Sequence, residues 1–186
     1  MRPAGTATAR RTDRDARPPV RTGTASRHTK ADGGAPPFRA WLPHMIDVQI
    51  RTAVPDDAEA VLAFWREAAE GTSITDDADG VTRLIGRDPQ ALILAESGGT
   101  LVGTVIAGYD GWRCSLYRLA VLPPYRRQGV ATALLEAAER RFLAVRGRRG
   151  DAMVLESNER AQRAWSAAGY RREDHWRRWV KPLAGA

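Results

Sequence analysis

The stretch Leu116-Tyr117-Arg118-Leu119-Ala120-Val121-Leu122-Pro123-Pro124-Tyr125-Arg126-Arg127-Gln128-Gly129-Val130-Ala131-Thr132 runs from a strand through a turn into a helix. Leu116 to Leu122 is an apolar run of strand length. Pro123-Pro124 ends it. From Val130 the pattern changes to helical spacing, with Val130, Leu134, Ala138 and Phe142 on one face and Gly147 as the stop. A strand that ends in a short basic turn with one glycine, followed directly by a helix, makes an anion site. The first N–H groups of a helix lack intrahelical partners, and the helix dipole favours negative charge beside them. Gly129 carries no side chain, so an oxygen-rich ligand can come close to the backbone. Arg126 and Arg127 add positive charge, and the chemistry implied is a pyrophosphate held mainly by main-chain donors.

Working outward, the alternation of Val48, Ile50 and Thr52 predicts a first strand. Pro55-Asp56-Asp57 opens a helix in which Ala60, Val61, Phe64 and Trp65 recur at three-to-four spacing; the simplest role for Trp65 is core packing. A second helix is expected over Asp77 to Arg87, with Val81, Leu84 and Ile85 inward. Ala91–Ser97 and Leu101–Tyr109 flank Gly98-Gly99-Thr100 and read as a hairpin. Downstream, Asp151–Glu156 reads as a short strand. Glu159–Ala168 reads as a helix capped by Ser157 or Asn158 and closed by Gly169. Tyr170–Val180 reads as a last strand with Trp176 and Trp179 as packing anchors. The resulting order is β-α-α-β-β-β-α-β-α-β.

The chain has 186 residues and a formal charge of +7. Residues 1–44 hold nine Lys and Arg against three Asp, whereas 45–186 hold twenty against nineteen acidic residues. The basic excess is therefore a property of the N-terminal segment, which argues against a nucleic-acid-binding domain. That segment has almost no large apolar residue before Phe38. It reads as a disordered basic tail, 1–44, ahead of a domain at 45–186. Met45 is an alternative start that would make the tail an upstream-start artefact. Cys114 is the single cysteine, so an intrachain disulfide is excluded and no zinc cluster is in sight, which suits a reducing cytoplasm. No apolar run is long enough to span a membrane.

The spacing [Gln/Arg]-x-x-Gly-x-[Gly/Ala], filled by Arg126, Gly129 and Ala131, resembles the acetyl-CoA loop of the GCN5-related N-acetyltransferases, the GNAT family. The segment Asn158-Glu159-Arg160-Ala161-Gln162-Arg163-Ala164-Trp165-Ser166-Ala167-Ala168-Gly169-Tyr170 is similar to a second signature of that family through Asn158, Ala161, Gly169 and Tyr170. The element order agrees, over about residues 48 to 182. The resemblance implies an α/β acyl-CoA N-acyltransferase fold: a mixed central sheet of six to seven strands with about four helices and splayed central strands.

It also implies acetyl-CoA as acyl donor, no metal, and transfer to a primary amine by direct attack in a ternary complex. That amine belongs to a small molecule, a peptide N-terminus or a lysine. An aminoglycoside-like or aminoacyl acceptor is a variant of the same reading, and a homodimer is open to it. By resemblance, the main-chain groups of Leu119, Ala120 and Val121 meet the pantetheine arm, with the Val121 N–H as oxyanion donor. The turn Arg126, Arg127, Gln128, Gly129, Val130, Ala131 and Thr132 holds the phosphates. Asn158 and Ala161 form the opposite wall, although Asn158 also suits a plain helix cap.

Two positions depart from the family. Trp165 stands where a tyrosine usually protonates the leaving thiolate, and an indole N–H is no acid near neutral pH. Met153 stands where some members carry a glutamate base, and Glu156 is misplaced for that role. Tyr117 is an alternative proton donor. These departures leave room for a non-catalytic acyl-CoA-binding or regulatory module of the same fold. On the acceptor side, Asp76, Asp77 and Asp79 either attract a cationic amine or serve as a helix-start cluster. The turn Tyr109-Asp110-Gly111-Trp112-Arg113 either lines a substrate pocket or covers the sheet edge.

Overall fold

Gly98 and Gly99 sit at φ 55° and 78°, the pair of left-handed conformations that a tight two-residue hairpin demands. This turn joins β2 (Leu92–Ser97) to β3 (Thr100–Tyr109) and sets the antiparallel pairs Ser97↔Thr100 and Glu96↔Leu101; a bulge between Ala95 and Glu96 then shifts the register by one residue for the pairs Ala95↔Gly103 to Leu92↔Ile106. A computed structural model of the chain describes residues 46–71, 73–181 and 183. The basic tail assigned to residues 1–44 lies outside them.

The sheet runs β1-β2-β3-β4-β5, with β1 at Gln49–Thr52, β4 at Cys114–Val121 and β5 at Gly150–Ala152. It is antiparallel from β1 to β4 and parallel between β4 and β5. A parallel pair requires a crossover, which is supplied by α3 (Val130–Ala144). Helices α1 (Ala58–Ala68) and α2 (Ala78–Arg87) precede β2, and α4 (Glu159–Ala167) follows β5. Among the described residues, no helix is long and apolar enough to cross a membrane.

Helices cover both faces, which explains why Leu92, Ile93, Leu94 and Ala95 are all buried in succession. Ile93 and Ala95 join a core with Val102, Val105, Leu116, Leu134 and Phe142 beneath α3. Leu92 and Leu94 face Val61, Phe64, Trp65, Val81 and Ile85 of α1 and α2. Trp65 is 6% exposed, as its packing role requires. Ala60, expected on the buried face of α1, is exposed. The apolar stripe follows Val61, Leu62, Phe64, Trp65 and Ala68 instead. Gly103 lets α3 sit close: a Cβ there would stand 2.9 Å from both Val130 Cγ1 and Leu134 Cδ1.

The sheet has five strands among the described residues, fewer than the six to seven expected, while the four helices are present. The expected strand at Asp151–Glu156 is reduced to Gly150–Ala152. The expected strand over Tyr170–Val180 does not form: every residue from Arg171 to Val180 is exposed without strand pairing. The physical reason lies in its pattern. Trp176 and Trp179 are three apart, so in an extended chain they point to opposite faces, and Arg, Asp and Glu fill the gaps. They are 65% and 93% exposed and anchor nothing.

Candidate functional site

The register of β4 against β3 slips at one place. Tyr117 pairs with Ile106 and Ala120 with Thr104, so Arg118 and Leu119 together oppose Val105. This is a β-bulge. Arg118 takes φ 50°, an uncommon conformation for a residue with a side chain. Its carbonyl accepts the Thr104 hydroxyl at 2.9 Å. On its other edge β4 pairs with β5 only over Cys114, Ser115 and Leu116. Among the described residues that edge has no strand partner beyond Leu116, and the two strands part.

Main-chain direction follows from the ladder. Leu122 N–H donates to Val102 O at 3.0 Å, and Gly103 opposes Val121. Strand alternation then makes Thr104 and Ala120 the hydrogen-bonded pair and turns the main-chain groups of Val121 to the open side. Leu119 N–H points away from Thr104, because the carbonyl of its peptide, that of Arg118, accepts the Thr104 hydroxyl. Ala120 is thereby corrected: opposite Thr104, its main-chain groups face β3 and not the open edge of β4. Its methyl packs with α1 and α2.

After β4 the chain makes a single 3₁₀ turn, Pro123–Tyr125. Arg127 at φ 60° and Gly129 at φ 85° then swing it into α3. Gln128 donates from Nε2 to Pro124 O at 2.6 Å, which closes the loop on itself. Arg126 donates from Nε to Val121 O at 2.9 Å, which ties the loop back to the open edge of β4. Val130 is 1% exposed and seats the helix start. No side chain caps α3, so the N–H groups of Val130, Ala131 and Thr132 remain for a ligand.

In front of this turn lies a cleft of about 710 Å³, lined by Pro123, Pro124, Arg126, Arg127 and Gln128, and from α4 by Arg160 and Arg163. Four guanidinium groups around a helix N-terminus fit a ligand with several phosphate oxygens. Arg160 and Arg163 were not singled out from the sequence. Their spacing of three on a helix opened by Asn158 is the signal that would have placed both on one face.

On α4, Asn158 Oδ1 accepts the Ala161 N–H at 2.8 Å, so it caps the helix. Ala161 is half-buried against the α3-side core. Trp165 is 9% exposed and meets Tyr170 edge to face, ring centres 4.9 Å apart. It is a core residue. The Tyr170 hydroxyl donates to Glu139 at 3.1 Å, and burial, reinforced by that carboxylate, pushes its ionisation far above the ordinary tyrosine value. Tyr117, by contrast, is half-exposed one residue before the bulge. Met153 and Glu156 are both exposed.

The acidic residues before α2 are engaged. Asp77 caps α2 through Gly80 N–H at 2.6 Å. Asp76 accepts from Arg118 Nε at 3.2 Å and also from Nη2. The same guanidinium donates to Gly71 O at 2.9 Å and lies 5.4 Å from the centre of the Trp65 ring. The bulge residue thus fastens the loop between α1 and α2. In the turn after β3, Asp110 accepts the N–H groups of Arg113 at 2.6 Å and Trp112 at 2.8 Å, which hold its carboxyl below the usual range. Trp112 is 77% exposed beneath the Arg113 guanidinium.

A mixed sheet that parts beside a basic helix start is the architecture of the acyl-CoA N-acyltransferase fold. A PaiA N-acetyltransferase from Thermoplasma acidophilum, solved with coenzyme A, superposes with a TM-score of 0.63 at 19% identity, covering 69% of this chain and 92% of that one. AAC(6')-Iy, solved with a CoA-S-monomethyl-acetylneamine bisubstrate analogue, gives 0.59 at 20% identity, over 74% and 99%. In sequence, an acetyltransferase of Yersinia pestis is 33% identical over 127 residues, 68% of this chain and 90% of the relative. The family model described as "Acetyltransferase (GNAT) family" matches residues 57–170. The chain belongs to the GNAT acetyltransferase family.

Proposed function

We propose that this domain transfers the acetyl group of acetyl-CoA to a primary amine on a small molecule, a peptide N-terminus or a lysine. Attack is direct, within a ternary complex. The observation that carries the reading is the open edge of β4 beyond Leu116, continuous with the uncapped N-terminus of α3 and its four arginines. A ligand with an amide-bearing arm and a charged phosphate end matches both halves of that surface.

Arg126, Arg127, Gln128, Gly129, Val130, Ala131 and Thr132 hold the phosphates, assisted by Arg160 and Arg163. Leu119 and Val121 present N–H groups to the arm, and Val121 N–H is the donor for the thioester oxygen. A fixed main-chain donor stabilises charge that grows on that oxygen as the amine attacks, because it needs no reorganisation. Asn158 caps α4, and Ala161 in its first turn is small enough to let the arm pass close. Trp165 lies in the core and takes no proton role. The half-exposed phenol of Tyr117 is the proton donor nearest in sequence to the open edge. The amine sheds its proton to water.

The test is calorimetry with acetyl-CoA, followed by a thiol-release assay across a panel of amines. Saturable binding and amine-dependent thiol release are expected. Absence of acetyl-CoA binding would overturn the reading. Binding without release on any amine would assign the chain to a non-catalytic acyl-CoA-binding module instead.

A further inference from the structure

Thr104 is the one polar residue among the described residues that is fully buried, at 0% exposure. Two bonds converge on its hydroxyl. Trp65 Nε1–H donates to it at 3.0 Å, and it bonds Arg118 O at 2.9 Å. An indole N–H is a donor only, and a hydroxyl has a single proton. With Trp65 fixed as donor, the Thr104 proton has one direction left, toward the carbonyl of Arg118. The relay is therefore polar in one sense: Trp65 to Thr104 to the bulge.

That carbonyl shares a planar trans peptide with Leu119 N–H, and the two groups point in opposite directions. Holding the oxygen toward β3 aims the N–H into the cleft beside β4. The ladder cannot do this by itself, since the bulge removes Arg118 and Leu119 from regular pairing. We propose that Thr104, oriented by Trp65, is a positioning residue that fixes the 118–119 peptide so that Leu119 N–H serves the bound acyl-CoA. The inference rests on the cleft assignment under Proposed function. Val121 needs no such device, because the bonds at Val102–Leu122 and Thr104–Ala120 flank it.

The test compares wild type, Thr104→Ser, Thr104→Val and Trp65→Phe/Thr104→Val. The readouts are acetyl-CoA affinity and the amide-proton shifts of Leu119 and Val121 in isotope-labelled protein titrated with acetyl-CoA. In wild type and Thr104→Ser, both amides respond. In Thr104→Val the Leu119 response is lost, Val121 still responds, and affinity falls about tenfold, the worth of one hydrogen bond. The double variant removes the indole donor that the single one strands, so the comparison survives if Thr104→Val folds poorly. Retention of both responses in the valine variants overturns the proposal, and so does equal loss of both, which marks a general structural role. Failure of either amide to respond in wild type despite tight binding overturns the cleft assignment itself.

Discussion

Arg126 donates from Nε to the main-chain oxygen of Val121 at 2.9 Å, joining the basic turn to the open edge of β4. One side chain thus sets the distance between the two halves of the proposed donor site. Methionine at this position keeps the aliphatic stem and removes the tie. Arg126→Met is expected to lower acetyl-CoA affinity about tenfold, the worth of one charge-assisted bond. Calorimetry reads the affinity, and an unchanged circular dichroism spectrum shows that the loss is local.

Gly129 occupies φ 85° immediately before α3. Alanine there pays the left-handed penalty of roughly 1 kcal/mol and should weaken binding modestly. Aspartate places a negative charge where phosphates are expected. Gly129→Asp should reduce acetyl-CoA affinity by about a hundredfold or more, because a new carboxylate repels the phosphates and crowds their approach to the backbone, with the fold retained. Normal binding by that variant would show that the turn is not the phosphate site.

Arg160 and Arg163 reach the same cleft from α4, and Arg163 also touches Glu159 at 3.3 Å. Both are exposed, so each contributes modestly and is screened by salt. Arg160→Ala/Arg163→Ala is expected to weaken binding about fivefold at low salt. The gap to wild type should close as salt rises. A salt-independent difference would point to packing rather than charge.

Away from the cleft, Arg51 bridges Asp57 at 2.7 and 2.8 Å and Glu96 at 2.6 Å, pinning β1 to the start of α1. The Arg51 hydrogen bonds hold the Asp57 carboxyl below its ordinary value, with help from Val54 N–H. A folded-state value below the unfolded one stabilises the protein above about pH 4. That contribution is lost as pH falls through the depressed value. Arg51→Met should therefore cost roughly 1 kcal/mol near pH 7, a partly exposed network, and less near pH 3. Urea denaturation at the two pH values measures it.

What the sequence made legible was what local chemistry decides. The Gly98-Gly99 turn, the helix spacing from Val130 and the Asn158 cap each follow from neighbours a few residues away, and each stands where it was expected. The bulge at Arg118 was not legible. An arginine at positive φ leaves no mark in its own neighbourhood, and here it is held by Thr104, Asp76 and Gly71, all distant in the chain. Trp165 was read through a family tyrosine, yet its packing against Tyr170 is set by the turn at Gly169. The last strand does not form because Trp176 and Trp179, three residues apart, break the alternation that a half-buried strand needs.

The three-residue pairing of β5 leaves the far edge of β4 unfinished. Main-chain groups along β4 then await a partner that the described residues do not provide. On the proposed function, acetyl-CoA is that partner, and ligand supply becomes a factor in protein lifetime. A ligand present at a hundred times its dissociation constant adds about 2.7 kcal/mol to the folded state. A starved cell would then hold a less stable population of this protein, more open to proteolysis, before any change in its synthesis.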